Sequence, residues 1–205
     1  MFSIEGKFFG AISRLGDLVI LNILFLACSI PIVTIGASIT AMYSVTKKMA
    51  EEREGYILKS FFKAFKENFR QSTVMWLILL ICGMVVSVDL YICNNLMKEG
   101  SLQTLAKGFL LLAFLLIVFI VLYSLTLQCT FENTIKNTLK NALLISLGHA
   151  PWSLLMSVFA LSPFISLLYF GEYFGTELLA MILIWFSGVA YVNSFVLNKI
   201  FKKYM

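Results

Sequence analysis

The sequence predicts an all-α polytopic membrane helix bundle, with five transmembrane helices and two cytoplasmic amphipathic helices lying at the interface. Three observations carry this. Hydrophobic residues make up 60% of the 205 residues and charged residues only 13%, with a mean hydropathy of +0.91. A soluble domain carries roughly 25% charge, so the bilayer must solvate much of this chain. The apolar residues fall in runs of about 20, the length that crosses ~30 Å of hydrocarbon as helix. Between the first run and the rest lies a basic segment, Lys47 to Arg70, with seven cations: Lys47, Lys48, Arg53, Lys59, Lys63, Lys66 and Arg70. Short loops this rich in positive charge stay in the cytoplasm.

Span one is expected over 15–35; Pro31 breaks it near its cytoplasmic end and Gly36 follows, so the helix is expected to kink or terminate early there. Too long for the core of a signal peptide, this run reads as a retained span. Spans two to five are expected over 73–94, 105–127, 151–170 and 177–197. Five spans with the basic segment inside place the N-terminus outside and the C-terminus in the cytoplasm. Twelve of the sixteen Lys and Arg then lie inside, and Lys7, Arg14, Lys98 and Lys107 lie outside or near the outer face.

Within the basic segment, Leu58, Phe61, Phe62, Phe65 and Phe69 form a helical stripe, with Lys59, Lys63, Lys66, Glu67 and Arg70 on the other faces. That pattern predicts a helix over 56–70 lying on the membrane, aromatic side down. A second such helix is expected over 133–147, with Ile135, Leu139, Ala142 and Leu143 on one face; it ends at the break Gly148-His149-Ala150-Pro151. The single domain then contains a possible repeat, amphipathic helix followed by two spans, over 56–128 and 131–198.

Few residues offer chemistry. Asp17 and Asp89 are the acids nearest the hydrocarbon. Their alternatives are local pairing or headgroup contact at the outer face, or a shared polar pocket of Asp17, Asn22 and Asp89. His149 is the sole histidine and reads as a capping or interfacial residue rather than a proton relay or metal ligand, since a zinc site needs three or four converging ligands. Cys28, Cys82, Cys93 and Cys129 show no metal or disulfide spacing and read as small buried apolar residues. No nucleophile, phosphate-loop or metalloprotease motif occurs, so no enzymatic activity, catalytic residue, cofactor or metal is expected. The net charge of +5 sits beside the spans, where anionic headgroups account for it without nucleic acid. Small-xxx-small pairs (Gly36 with Thr40, Gly83 with Ser87) leave a homo-oligomer open.

Three features, Leu21-Asn22 ahead of its apolar run, P-x-x-T-x-G-A over Pro31 to Ala37 and F-F-K-x-F-K-x-N-F over Phe61 to Phe69, stand within Gly16 to Val45 and Glu54 to Thr73. In these the chain resembles the YesL-like family of membrane proteins, found mainly in Gram-positive bacteria. The resemblance implies a multi-pass protein of the bacterial plasma membrane. Members are often encoded beside carbohydrate uptake systems of the ABC type, so it also implies an accessory or regulatory role in sugar uptake, with ABC transporter subunits as partners. The contact surface would be the 56–70 helix: Phe61, Phe62, Lys63, Phe65, Lys66, Asn68, Phe69 and Arg70. The alternatives are a small-solute transporter or channel in its own right, and a membrane enzyme or lipid-binding scaffold.

Overall fold

The computed structural model describes residues 2–53, 55–169 and 174–204, and these residues contain helices and no strand. Lys7's side chain, Glu54 and residue 170 of the fourth expected span lie outside them. The helices are α1 (Phe2–Ser29), α2 (Ile35–Ala50), α3 (Ile57–Asn95), α4 (Ser101–Gln128), α5 (Ile135–Gly148), α6 (Ala150–Tyr169), α7 (Phe174–Ala180) and α8 (Phe186–Phe201). A π-helical turn, Met181–Trp185, joins α7 to α8. Four helices are long and apolar enough to cross a membrane, or five when α5 and α6, bent by 104°, count as one broken span.

Span one ends before 35, by the early termination that is one of the two outcomes expected at Pro31. α1 stops at Ser29, Pro31 opens a single 3-10 turn over Ile32–Thr34, and α2 leads away from it. Proline sets this break, because it supplies no N–H to the helix and fixes its own φ. Thr34 Oγ1 closes the turn by donating to the carbonyls of Cys28 (2.6 Å) and Pro31 (2.7 Å). α1 and α2 form a hairpin, so the chain returns to the end it left. Arg14 Nη2 of α1 lies 3.6 Å from Glu52 Oε1 in the turn after α2, and Arg14 Nη1 donates to Tyr191 Oη of α8 at 3.4 Å. The expected single crossing between Arg14 and the basic segment is therefore replaced by a hairpin, in which only α1 is long and apolar enough to cross a membrane, and both sequence positions share one end of the bundle.

Gly36 does not break a helix. It lies inside α2, where an added Cβ would sit 2.6 Å from the Ser72 carbonyl oxygen and within contact of Trp76 Cβ. Small residues (Gly36, Ala37, Ser38, Thr40, Ala41) let α2 approach α3 closely. Across that contact Thr40 Oγ1 donates to Ser72 Oγ at 2.9 Å, and Trp76 Nε1 donates to the Ile32 carbonyl at 2.9 Å.

α3 runs unbroken for 39 residues, roughly 58 Å. The 56–70 segment is the first third of this helix and not a separate one. Its aromatic stripe is divided: Phe61 is fully buried against the bundle and Phe65 packs beside it, while Phe62 and Phe69 stay exposed. Helix α4 returns antiparallel to α3, with Gln103 Nε2 donating to the Cys93 carbonyl (2.9 Å) near one end and Gln128 bonded to Gln71 near the other.

α5 begins at Thr134, whose Oγ1 accepts from the Asn137 N–H at 3.4 Å, an N-cap contact. It ends at His149, and Pro151 stands in the first turn of α6, as the break signal predicts. The buried face of α5 is Thr138, Ala142, Ile145 and Ser146, turned from the expected one. Ser153 holds the bend by donating to the Ser146 carbonyl (2.8 Å) and to Tyr123 Oη of α4 (3.0 Å). The two expected repeat units thus differ in shape: the first carries its amphipathic segment in line with a span, the second across a sharp bend.

Candidate functional site

The three residues of the expected polar pocket are not brought together. Asn22 is fully buried in α1 and bound to the last span: its Nδ2 donates to the carbonyls of Met181 (2.9 Å) and Ile182 (2.7 Å), and its Oδ1 accepts from the Ser187 N–H (3.0 Å). A π turn shifts backbone pairing to i+5, and Asn22 covers polar groups of that turn which would otherwise lie bare in an apolar setting. Asp17 lies on a different side, lining an open cleft of about 680 Å³ with Ile20 and the segment Gly55 to Lys59. Asp89 is exposed on α3, about 30 residues or roughly 45 Å along the helix from Lys59.

The charged end of the bundle gathers what polar machinery there is. α2 and α8 meet along a polar seam: Thr46 Oγ1 and Ser194 Oγ are 2.8 Å apart, Asn193 Nδ2 donates to Tyr43 Oη (3.4 Å), and Asn198 Nδ2 donates to the Lys47 carbonyl (3.3 Å). Burial pushes the Tyr43 hydroxyl up to about 12, so it acts here as a neutral hydrogen-bond partner.

Lys47 is the unusual member. Only 9% exposed, it donates from Nζ to Thr130 Oγ1 and sits over the Phe201 ring at 4.8 Å. Among the described residues it makes no ion pair with a carboxylate. Burial lowers its pKa, opposed by the weaker influence of Cys129 and Glu51. Burial likewise raises the Cys129 thiol, against the opposite pull of Lys47. In the sequence Lys47 stands at the start of a charged cytoplasmic turn, and its burial is not legible there because α2, the helix that buries it, is short and rich in small residues.

Next to this seam a cleft of about 400 Å³ is lined by Ala50, Glu51, Arg53, Phe195, Asn198, Lys199 and Lys202. Three cations face one carboxylate there, and Arg53 Nε lies 3.6 Å from Glu51 Oε2.

On the outward side of α3's first third, Tyr56, Leu58, Phe62 and Phe69 are exposed beside Lys59, Lys63, Lys66 and Arg70. Lys63 Nζ is 3.9 Å from Glu67 Oε1, and Asn68 Nδ2 donates to the Ala64 carbonyl at 2.9 Å. The rings of Phe61, Phe65 and Phe69 form a ladder with centroids 6.1 and 5.5 Å apart.

His149 caps α5, with Nδ1 3.2 Å from the Ile145 carbonyl. The four cysteines are free, and Cys82 faces outward rather than into the bundle. No group of three or more His, Cys, Asp or Glu able to hold a metal occurs among the described residues.

The model of a family described as "Protein of unknown function, DUF624" matches residues 18–90. The chain is similar to that family over just over a third of its length. The match contains both the Pro31 to Ala37 and Phe61 to Phe69 motifs. No curated protein and no solved structure matches the chain.

Proposed function

We propose that this is a non-enzymatic multi-pass protein of the bacterial plasma membrane that assists or regulates a carbohydrate uptake system of the ABC type. Its charged end would face the cytoplasm. The observation that carries a docking role is the exposed stripe of Leu58, Phe62 and Phe69 flanked by Lys59, Lys63, Lys66 and Arg70 on a helix already anchored by Phe61. An anchored, aromatic and cationic helix face fits an acidic, partly apolar surface of a transporter subunit. The sugar specificity rests on the resemblance of the N-terminal third alone. Affinity capture from membranes tests the reading: wild-type chain is expected to recover permease subunits and Phe62→Glu to lose them, with sugar uptake reduced on deletion. Recovery of no transporter subunit, together with unchanged uptake, rejects it.

A second reading, a small-solute transporter, is favoured by the π turn at 181–185 beside buried Asn22, since irregular helices often mark function. Against it, the polar groups of Asn22 are already used by backbone partners. Solute flux by the purified chain in liposomes would favour this reading over docking.

A further inference from the structure

The cleft between the end of α2 and α8 continues into an apolar ridge, and the two together have the form of a single amphiphile. Val192, Phe195 and Lys199 of α8 and its helical C-cap Lys202 follow at spacings of three, four and three residues, which places them on one face. The first two are 51% and 50% exposed and apolar; the last two are exposed cations that line the cleft with Arg53. Asn198, one residue from Lys199, is 91% buried with its amide held by the Lys47 carbonyl, so α2 and α8 are tied together under the cleft.

We infer that this cleft binds the phosphate group of an anionic glycerophospholipid, with Lys199, Lys202 and Arg53 on the phosphate and an acyl chain along Phe195 and Val192. Three cations against the single Glu51 carboxylate leave the cleft net positive by two (3 − 1), and Arg53 remains able to turn one edge of its guanidinium to a phosphate oxygen. A volume of about 400 Å³ suits a headgroup and is too small for the chains. The ridge gives those chains a place that a free phosphate would not use, and this separates a lipid from a soluble phosphate ester. Nothing here depends on a transporter partner, so the site stands or falls separately from the docking role.

The test uses the full chain in detergent micelles. Lipid retention is read by native mass spectrometry, and the thermal midpoint by scanning fluorimetry. Wild-type chain is expected to retain phosphatidylglycerol over phosphatidylcholine and to gain stability when it is added. The double variant Lys199→Gln/Lys202→Gln removes exposed side chains, so it is expected to fold normally while binding phosphatidylglycerol about tenfold more weakly. Phe195→Ala is expected to weaken lipid binding. Glycerol phosphate, which has no chains, is expected to give no shift at the same concentration. Equal retention of the two lipids, unchanged binding by the double variant, or a full shift from glycerol phosphate would each overturn the assignment.

Discussion

Asn22 and Ser187 are joined twice over: Asn22 Oδ1 accepts from the Ser187 N–H at 3.0 Å, and Ser187 Oγ donates to the Leu18 carbonyl, one turn before Asn22, at 2.7 Å. With the two carbonyl contacts of Asn22, this fixes the π turn of the last span to the middle of the first. Asn22→Leu removes both donors and the acceptor while keeping the volume similar. It leaves the Met181 and Ile182 carbonyls and the Ser187 N–H without that side chain in an apolar setting. The expected cost is about 2–4 kcal/mol, read as a lower unfolding midpoint in detergent. A loss smaller than that of Ser29→Ala, whose hydroxyl makes no hydrogen bond among the described residues, would show that the π turn does not need Asn22.

Gly36→Ala is expected to separate α2 from α3, because the new methyl meets the Ser72 backbone oxygen at 2.6 Å and backbone cannot swing aside. Strain of this kind costs about 1–3 kcal/mol. Gly83→Ala, in the span part of the same α3 with nothing within 4 Å, is its control. It should be neutral, or stabilising by up to about 1 kcal/mol through helix propensity. Thermal midpoints of the two variants in one detergent decide between these outcomes.

Lys47 carries a pH dependence whose sign follows from burial. Its pKa is lowered in the fold, so between that lowered value and 10.5 the unfolded chain binds more protons than the folded one. Stability contributed by this group therefore rises with pH through that window, as the cost of burying its charge disappears. Cys129 and Glu51 are the titratable groups that act on it. Lys47→Met is expected to remove this component of the slope while keeping the packing against Phe201. Lys47→Ala removes the packing too and should be less stable by about 2–3 kcal/mol. Denaturation midpoints measured from pH 7 to pH 10 check it: parallel curves for wild type and Lys47→Met would show that Lys47 titrates as it does when unfolded.

Much of this architecture was legible because bilayer thickness imposes a length on apolar runs, and α3, α4 and the last span stand where such runs occur. The break at Pro31 and the bend at His149 to Pro151 were legible for a different reason, since proline and glycine act locally. What a chain does after a break is decided by tertiary contact. The sequence predicts a kink or an early end of span one at Pro31, and the span does end there, but nothing local shows that the chain then reverses into α2, whose stretch from Gly36 to Ala41 is mostly small residues. The same limit applies to Phe61 and Phe69: the helical stripe is visible in sequence, but whether a phenylalanine on it meets protein or the outside depends on where α2 packs. Asp17 and Asp89 illustrate it for the site, since both are acids in apolar runs and only the length of α3 shows that they are far apart.

The reversal at Pro31 makes the sharpest prediction, because it changes the parity of the chain. Arg14 and Glu52 are an ion pair at 3.6 Å, so positions around them must be accessible from one side of the membrane. The turn between α3 and α4, which holds Lys98 and Gly100, lies at the far end of a 39-residue helix. Placing Arg14 with the basic segment also strengthens the charge asymmetry, since one of the four cations expected outside joins the majority. Single cysteines introduced as Ser13→Cys, Glu52→Cys and Gly100→Cys, in a background without Cys28, Cys82, Cys93 and Cys129, can be probed on intact cells with a membrane-impermeant maleimide. Ser13→Cys and Glu52→Cys are expected to stay unlabelled until the cells are opened, and Gly100→Cys to label at once. Labelling of Ser13→Cys together with Gly100→Cys would restore a single crossing before the basic segment, and with it an odd number of spans.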